Sequence, residues 1–445
     1  MDQLGINMHE DINENDSQSE ENHSASTALV VMDARDVNES EMQTMKGDTI
    51  GDTMYSAKWI LNTLISLSNV YEKGWSESLE NDLCLLWDMT AEKDVTLFLL
   101  ENNFLKIAEV SLKISVGPRM TEILVGILGN MCCQPSVIQS LGDTQELVTL
   151  LFNLLIIDDT ETLIQLLRLL RVAVWDIQLQ IANNSYSTWL NNLKNCSILA
   201  SSLIFILTSS TNDDLLIAAI DFIQSISTTI LPNERLFESL FNAEELVPAL
   251  LESFTQVIPK QDGNHTRAEL KVIESWLTIL TCVIQSNITM ITENQLSQNL
   301  NNILDTLLRI LQPYVHSHNL LPLDERSAVC IHDCVNLISK FQRDKLPVGP
   351  EIVFIIVTIM FHLKSSDISA NSENNDDNNE RELLKYLEKY WFELLDMYEG
   401  NQLQDILQMC EENIVQFVMQ MTKYHLQTTS DKLEKLTIAS DSVNQ

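Results

Sequence analysis

Apolar side chains recur with a helical period along almost all of this chain from Tyr55 onward. The clearest stretch is Arg119 to Cys133. Met120, Ile123, Leu124, Ile127, Leu128 and Met131 fall there at i, i+3, i+4, i+7, i+8 and i+11, one buried stripe of a helix. Gly126 and Gly129 sit inside the same stripe. Each costs about 1 kcal/mol of helix propensity relative to alanine, so their place in a helix predicts close approach by a neighbouring helix. Trp59 to Leu67, Leu79 to Met89 and Val95 to Phe104 carry the same period. Thr162 to Trp175 places Leu163, Leu166, Leu167, Leu170 and Val174 on one face, and Asp213 to Ile226 does so with Leu216, Ala219, Ile220 and Ile223. Further helices are predicted near 232–241, 246–257, 269–285, 295–312, 326–342, 350–363, 382–398 and 401–424. Pro118, Pro135, Pro232, Pro313, Pro322, Pro347 and Pro350 fall at or near their boundaries.

The helices themselves repeat. Leu86, Leu128 and Leu170, the central apolar residues of three comparable helices, stand 42 apart. Ile223, Leu280 and Ile338 continue the series at intervals of 53, 57 and 58. A period near 42 belongs to armadillo and HEAT arrays. The predicted fold is therefore all-α, a right-handed armadillo/HEAT-like solenoid over 51–427, with longer loops or extra helices after residue 230.

Composition adds the ends and the inserts. Residues 1–50 hold twelve acidic residues against Arg35 and Lys46, with no aromatic residue. Such a segment buries too little apolar surface to offset its ordering entropy and is expected to be disordered. Ala28 to Met32 is one apolar island within it, either a short docking peptide or a chance cluster. Unstructured inserts are expected at 258–268 and, over the run NSENNDDNNE, at 368–381; residues 428–445 are expected to fray.

Charge bounds the partners. The formal net charge is −36, with 27 basic residues against 63 acidic ones and no cluster of four Lys or Arg. Nucleic acid and anionic membrane are therefore unlikely ligands on counterion grounds. The N-terminus lacks the basic and apolar parts of a signal peptide, and apolar runs of about 11 residues fall short of a spanning helix. A soluble intracellular protein is expected.

Chemistry-bearing motifs are scarce. There is no phosphate loop, no G-x-S-x-G elbow and no H-E-x-x-H. The eight cysteines form no C-x-x-C pair, and buried reduced thiols are expected. Cys330 and Cys334 share a helix face, but His332 points about 160° away from both, which spoils a three-ligand metal site. No enzymatic site, metal or cofactor is predicted. In a solenoid the groove face is the candidate site. Asn130 lies at a position that often faces the groove in armadillo proteins, where its amide could bind a peptide backbone or satisfy the helices themselves. The residue 42 earlier is Asp88, beside Trp87, and 42 later it is Val172, so no regular asparagine ladder exists. Gly126 stands where importin-type grooves carry tryptophan. Trp87, Asp88 and Asn130 are the predicted partner-binding residues, for a basic or extended peptide.

The segments 47–59, 79–103 and 123–141, and SSTNDDLL at 209–216, resemble the serum amyloid A-like protein 1 family, above all in WDM at 87–89 followed by GNM at 129–131. That resemblance implies an armadillo-like protein, placed in the nucleus and linked to cell proliferation, without assigned enzymatic activity. A non-enzymatic interaction scaffold in nucleus or cytoplasm is the leading expectation. An armadillo-type regulator that opens the Hsp70 nucleotide-binding lobe, and a helical enzyme with an unrecognised site, are the alternatives.

Overall fold

The computed structural model describes residues 48–232, 234–259, 263–286, 296–367 and 376–425. The folded unit begins at Ile50, which is buried and donates its N–H to the Tyr55 carbonyl at 3.1 Å, so its first residue belongs to the segment expected to be disordered. Residues 1–47, including the island at 28–32, lie outside the described residues, as do 368–375 and 426–445. Of the predicted insert, the part that is described is helical: a helix begins at Asp376.

Among the described residues the regular structure is helical, apart from isolated bridge residues at Thr49 and Ser56 and the bridge between Ile230 and Arg235. Seven helices form a ladder in which each packs on the next. They are α1 (Glu77–Met89), α2 (Pro118–Met131), α3 (Thr160–Ala182), α4 (Asp213–Ser227), α5 (Arg267–Ser286), α6 (Glu325–Arg343) and α7 (Asp376–Met397). A second layer runs alongside through Ala57–Ser68, Phe104–Lys113, Gln145–Asn153, Leu199–Ser209, Ala243–Val257, Leu296–Leu311 and Pro350–Asp367. The short helices Lys93–Glu101, Pro135–Asp143, Thr188–Asn195 and Leu236–Leu240 return the chain from ladder to second layer. Three helices per unit, each unit buried on its neighbours, is the armadillo plan.

Local signals place the ladder. Ser76, Asp159, Asn212 and Asp324 cap α1, α3, α4 and α6 with side-chain oxygens that accept helix N–H groups. Pro118 opens α2, where its missing N–H is no loss. Leu86, Leu128, Leu170, Ile223, Leu280 and Ile338, the six residues of the repeat series, fall one on each of α1 to α6 and are all buried. The longer later intervals have structural sources. α3 runs to 23 residues, irregular chain at 263–266 precedes α5, and the turns Gln312–Val315 and Ser317–Leu320 intervene before α6. The single helix predicted over 401–424 is two, Gly400–Met409 and Glu412–His425, divided at Cys410.

The close approach predicted at Gly126 is real. A Cβ built there would lie 2.1 Å from Cζ2 of Trp87, so the indole of α1 rests directly on the α2 backbone. Gly129 does less, since its Cβ would meet only Leu169 Cβ, at 3.8 Å. Gly142 serves the same purpose for Trp189, whose Nε1 donates to the Ile138 carbonyl at 2.8 Å.

One buried charge gives the second layer a pH dependence. Glu109 is 2% exposed and accepts from Lys106 Nζ at 2.8 Å and Lys113 Nζ at 2.6 Å. Lys106 first, then Lys113, holds its carboxyl below the ordinary value of 4.5, against the opposing effect of burial. A carboxylate depressed in the folded state binds fewer protons there than in the unfolded chain. Its stabilisation is thus complete above the unfolded value and is lost as pH falls through the folded one. Glu109→Gln is expected to flatten the fall of melting temperature with pH below about 4.5, read by thermal melts across that range. An unchanged acid limb would remove Glu109 as its source.

Candidate functional site

The ladder helices bury one side against the second layer and leave a stripe of each free. The stripe follows from the repeat, because a residue on one rung meets the residue one interval further on. At its N-terminal end, Trp87 is half-buried over Gly126, while Asp88 beside it is exposed and has no ion pair or side-chain hydrogen bond among the described residues. Trp87 thus occupies, from the preceding rung, the space that the first carbon of any side chain at position 126 would need.

Asn130 has a different role from the one expected of a ligand contact. Its Nδ2 donates to the Trp87 carbonyl and to Thr90 Oγ1, both at 3.2 Å. Those groups lie at the C-terminal end of α1, where helix carbonyls lack intrahelical donors. The amide nitrogen therefore ties rung to rung, and a ligand meets at most its oxygen. The structure brings Trp87, Asp88 and Asn130 together, but only Asp88 presents an unengaged polar head.

Further along, most charge on the stripe is paired between rungs. Arg119 on α2 donates to Glu80 of α1 at 3.0 Å and to Glu122 at 2.8 Å. Glu122, then Glu80, raises the Arg119 guanidinium above its ordinary value. Asp221 on α4 is the densest node. Arg171 of α3 reaches it at 3.0 Å, while Lys271 and Ser275 of α5 each reach it at 3.3 Å, so one carboxylate joins three successive helices. Arg326 of α6 donates to Glu274 of α5 at 2.5 Å. Gln178 of α3 donates to Thr229 Oγ1 at 2.8 Å and to the Ser225 carbonyl of α4 at 3.2 Å. Two groups on this part of the stripe stay open: Arg168, exposed with Gln165 as its hydrogen-bond partner at 2.9 Å, and Trp175, half-exposed. Sequence reading passed over both. The signal was present, because Arg168 and Trp175 lie seven apart on the face opposite the Leu163–Leu170 stripe.

The remaining chemistry is buried or dispersed. Cys330 and Cys334 are buried in α6 while His332 is exposed, the geometry expected from the helix period. Burial pushes the Cys330 thiol up to about 12 and raises Cys334 as well. His332 lies instead against Tyr386 of α7, ring centroids 4.1 Å apart, with Asp333 Oδ1 3.0 Å from its Nδ1. A cleft of about 1030 Å³ opens between Ala243–Val257 and Leu296–Leu311, with Glu252, His265, Asp305 and Arg309 in its lining. Arg309 sits over Phe254, 5.4 Å from the ring centroid, and donates to the Ile258 carbonyl. Among the described residues no group of three or more His, Cys, Asp or Glu is placed to hold a metal ion. Nor is any single helix there long and apolar enough to cross a membrane.

Stacked three-helix units with a free ladder face define an armadillo-like helical repeat protein. Residues 199–445, more than half of the chain, match the SAAL1 C-terminal domain, and the chain belongs to the SAAL1 family. It is similar to Protein saal1 of Danio rerio, 40% identical over 184 residues that cover 39% of this chain and 38% of that one. It is also similar to Protein SAAL1 of Mus musculus, 30% identical over 290 residues covering 62% and 55%. The chain thus spans about half the length, or less, of the curated relatives it matches. The family match takes in the region beyond residue 230, where residue patterns alone carried no resemblance. Among solved structures, a designed armadillo repeat protein aligns over 73% of this chain and 98% of its own, with a TM-score of 0.32 and 13% identity.

Proposed function

We propose that this chain is a non-enzymatic scaffold whose free ladder face grips extended segments of protein partners, with Asp88 on Trp87 as the contact for a basic side chain. The observation that carries the reading is an exposed carboxylate with no pairing cation among the described residues, lying on an indole, on a face where Glu80, Asp221 and Glu274 are paired between rungs. A stacked array supports such a role because its surface is rigid before the partner arrives, so little ordering cost falls on the solenoid side. Nuclear placement and a part in proliferation are carried as proposals of family membership, to be checked by imaging the tagged full chain and by growth after its removal.

Asp88→Arg tests the contact. Asp88 is exposed and its side chain makes no internal bond among the described residues, so the substitution is expected to leave the fold intact. Crosslinking in cells is expected to lose at least one partner on this variant, about tenfold in yield for a reversed charge at a close contact. An identical partner set from wild type and variant would remove Asp88 from the binding surface.

A further inference from the structure

The middle of the ladder face carries the opposite charge to the chain as a whole. Around its centre the stripe from α3 to α6 gathers Arg168, Arg171, Lys271 and Arg326 against Asp221 and Glu274, while the exposed Glu161 and Asp214 stand two turns before Arg168 and Asp221, in a protein with 63 acidic and 27 basic residues. The two carboxylates are spoken for. Asp221 is 12% exposed beneath Arg171 and Lys271, whose own side chains remain 53% and 54% exposed. Glu274 is held by Arg326. One carboxylate under two cations leaves a net positive surface above it, and Arg168 has no carboxylate among the described residues. Trp175 lies two turns along α3 from Arg168 on the same face and is 50% exposed. An exposed indole two turns from an unpaired guanidinium is well suited to an interface anchor, since Trp and Arg dominate binding hot spots.

We infer that this stretch of the ladder face is a docking site for an acidic, extended polypeptide segment. Partner carboxylates lie over Arg168 and the Arg171–Lys271 pair, and an apolar side chain packs on Trp175. A guanidinium accepts a carboxylate as two parallel hydrogen bonds, which orients the segment as well as attracting it. The site is too small for a polyanion: four cations, two of them already paired to Asp221 and one to Glu274, neutralise few phosphates, and the chain's net charge of −36 repels nucleic acid at longer range. The inference rests on the scaffold reading but uses different rungs. The face becomes bipolar, taking basic residues at Asp88 and acidic ones from α3 to α5.

The test uses the full chain and three fluorescein-labelled probes in anisotropy titrations. They are a twelve-residue peptide of glutamates with a central leucine, its lysine counterpart, and a twelve-nucleotide oligo-uridine. The glutamate peptide is expected to bind at low salt, and to weaken about tenfold with Arg168→Glu and as salt shortens the screening length. Trp175→Ala is expected to weaken the leucine-bearing peptide while leaving an all-glutamate one unchanged. Both residues are solvent-exposed, and melting curves confirm folding. Absence of glutamate-peptide binding, indifference to Arg168→Glu, or equal binding of the lysine peptide or the oligonucleotide overturns the inference. Loss of a crosslinked partner on Asp88→Arg alongside any of those results leaves the scaffold reading standing and removes this site alone.

Discussion

Alanine in place of Gly126 is expected to destabilise the protein by about 1–3 kcal/mol, the ordinary range for overpacking a close-packed contact. The sign is what makes the experiment informative. Helix propensity alone predicts the reverse, a gain of about 1 kcal/mol when alanine replaces a mid-helix glycine. Here the added Cβ would stand 2.1, 2.2 and 2.7 Å from three atoms of the Trp87 indole, and a fused ring has no flexible end to swing aside. Either the indole lifts off α2 or the two rungs part, and both expose apolar surface. Urea denaturation of wild type, Gly126→Ala, Trp87→Leu and the double variant measures the coupling. The double variant should recover most of the loss, because a smaller side chain removes the clash. A stabilised Gly126→Ala, or additive single effects, would show that the two rungs do not meet as described.

Trp276→Ala is expected to cost about 3–5 kcal/mol, the range for truncating a large buried aromatic. Trp276 on α5 is fully buried, donates Nε1 to the Leu250 carbonyl at 2.9 Å, and lies 4.9 Å from the Phe254 ring centroid. One side chain therefore fixes α5 to the second-layer helix Ala243–Val257 by volume, hydrogen bond and ring contact together. Because units of a stacked array touch only their neighbours, the loss should be spatially confined. Hydrogen exchange is expected to speed up in α4, α5 and Ala243–Val257, with α1 and α2 little changed. Uniform acceleration through the described helices would mean the array unfolds as one cooperative block.

The two variants also mark what each level of description could reach. The spacing of Leu86, Leu128 and Leu170 located the first three rungs, and Ile223, Leu280 and Ile338 the next three, because a buried helix face needs apolar residues at every turn whatever it packs against. The seventh rung was predicted as a helix near 382–398, but its first turn escaped that reading, because the acidic, asparagine-rich run beginning at Asp376 has the composition of a loop. Asn130 was legible as a groove-position asparagine that could satisfy the helices, but the groups it joins were not, since its partners at the end of α1 lie 43 and 40 residues away. The Asp221 node likewise draws on donors 50 and 54 residues distant, and no local pattern announces them.

Sequence alone determined the class of fold, the approximate position of seven ladder helices and the presence of a tight contact at Gly126, because these depend on periodicity, capping and side-chain size within one helix. The tertiary structure decided which polar groups on the ladder face are consumed in holding rungs together and which stay open. That division is set by distances between residues one repeat apart, and a chain whose overall charge is strongly negative acquires a locally positive patch only when stacking brings Arg171 and Lys271 onto a single half-buried carboxylate, Asp221, with Arg168 one turn away on α3.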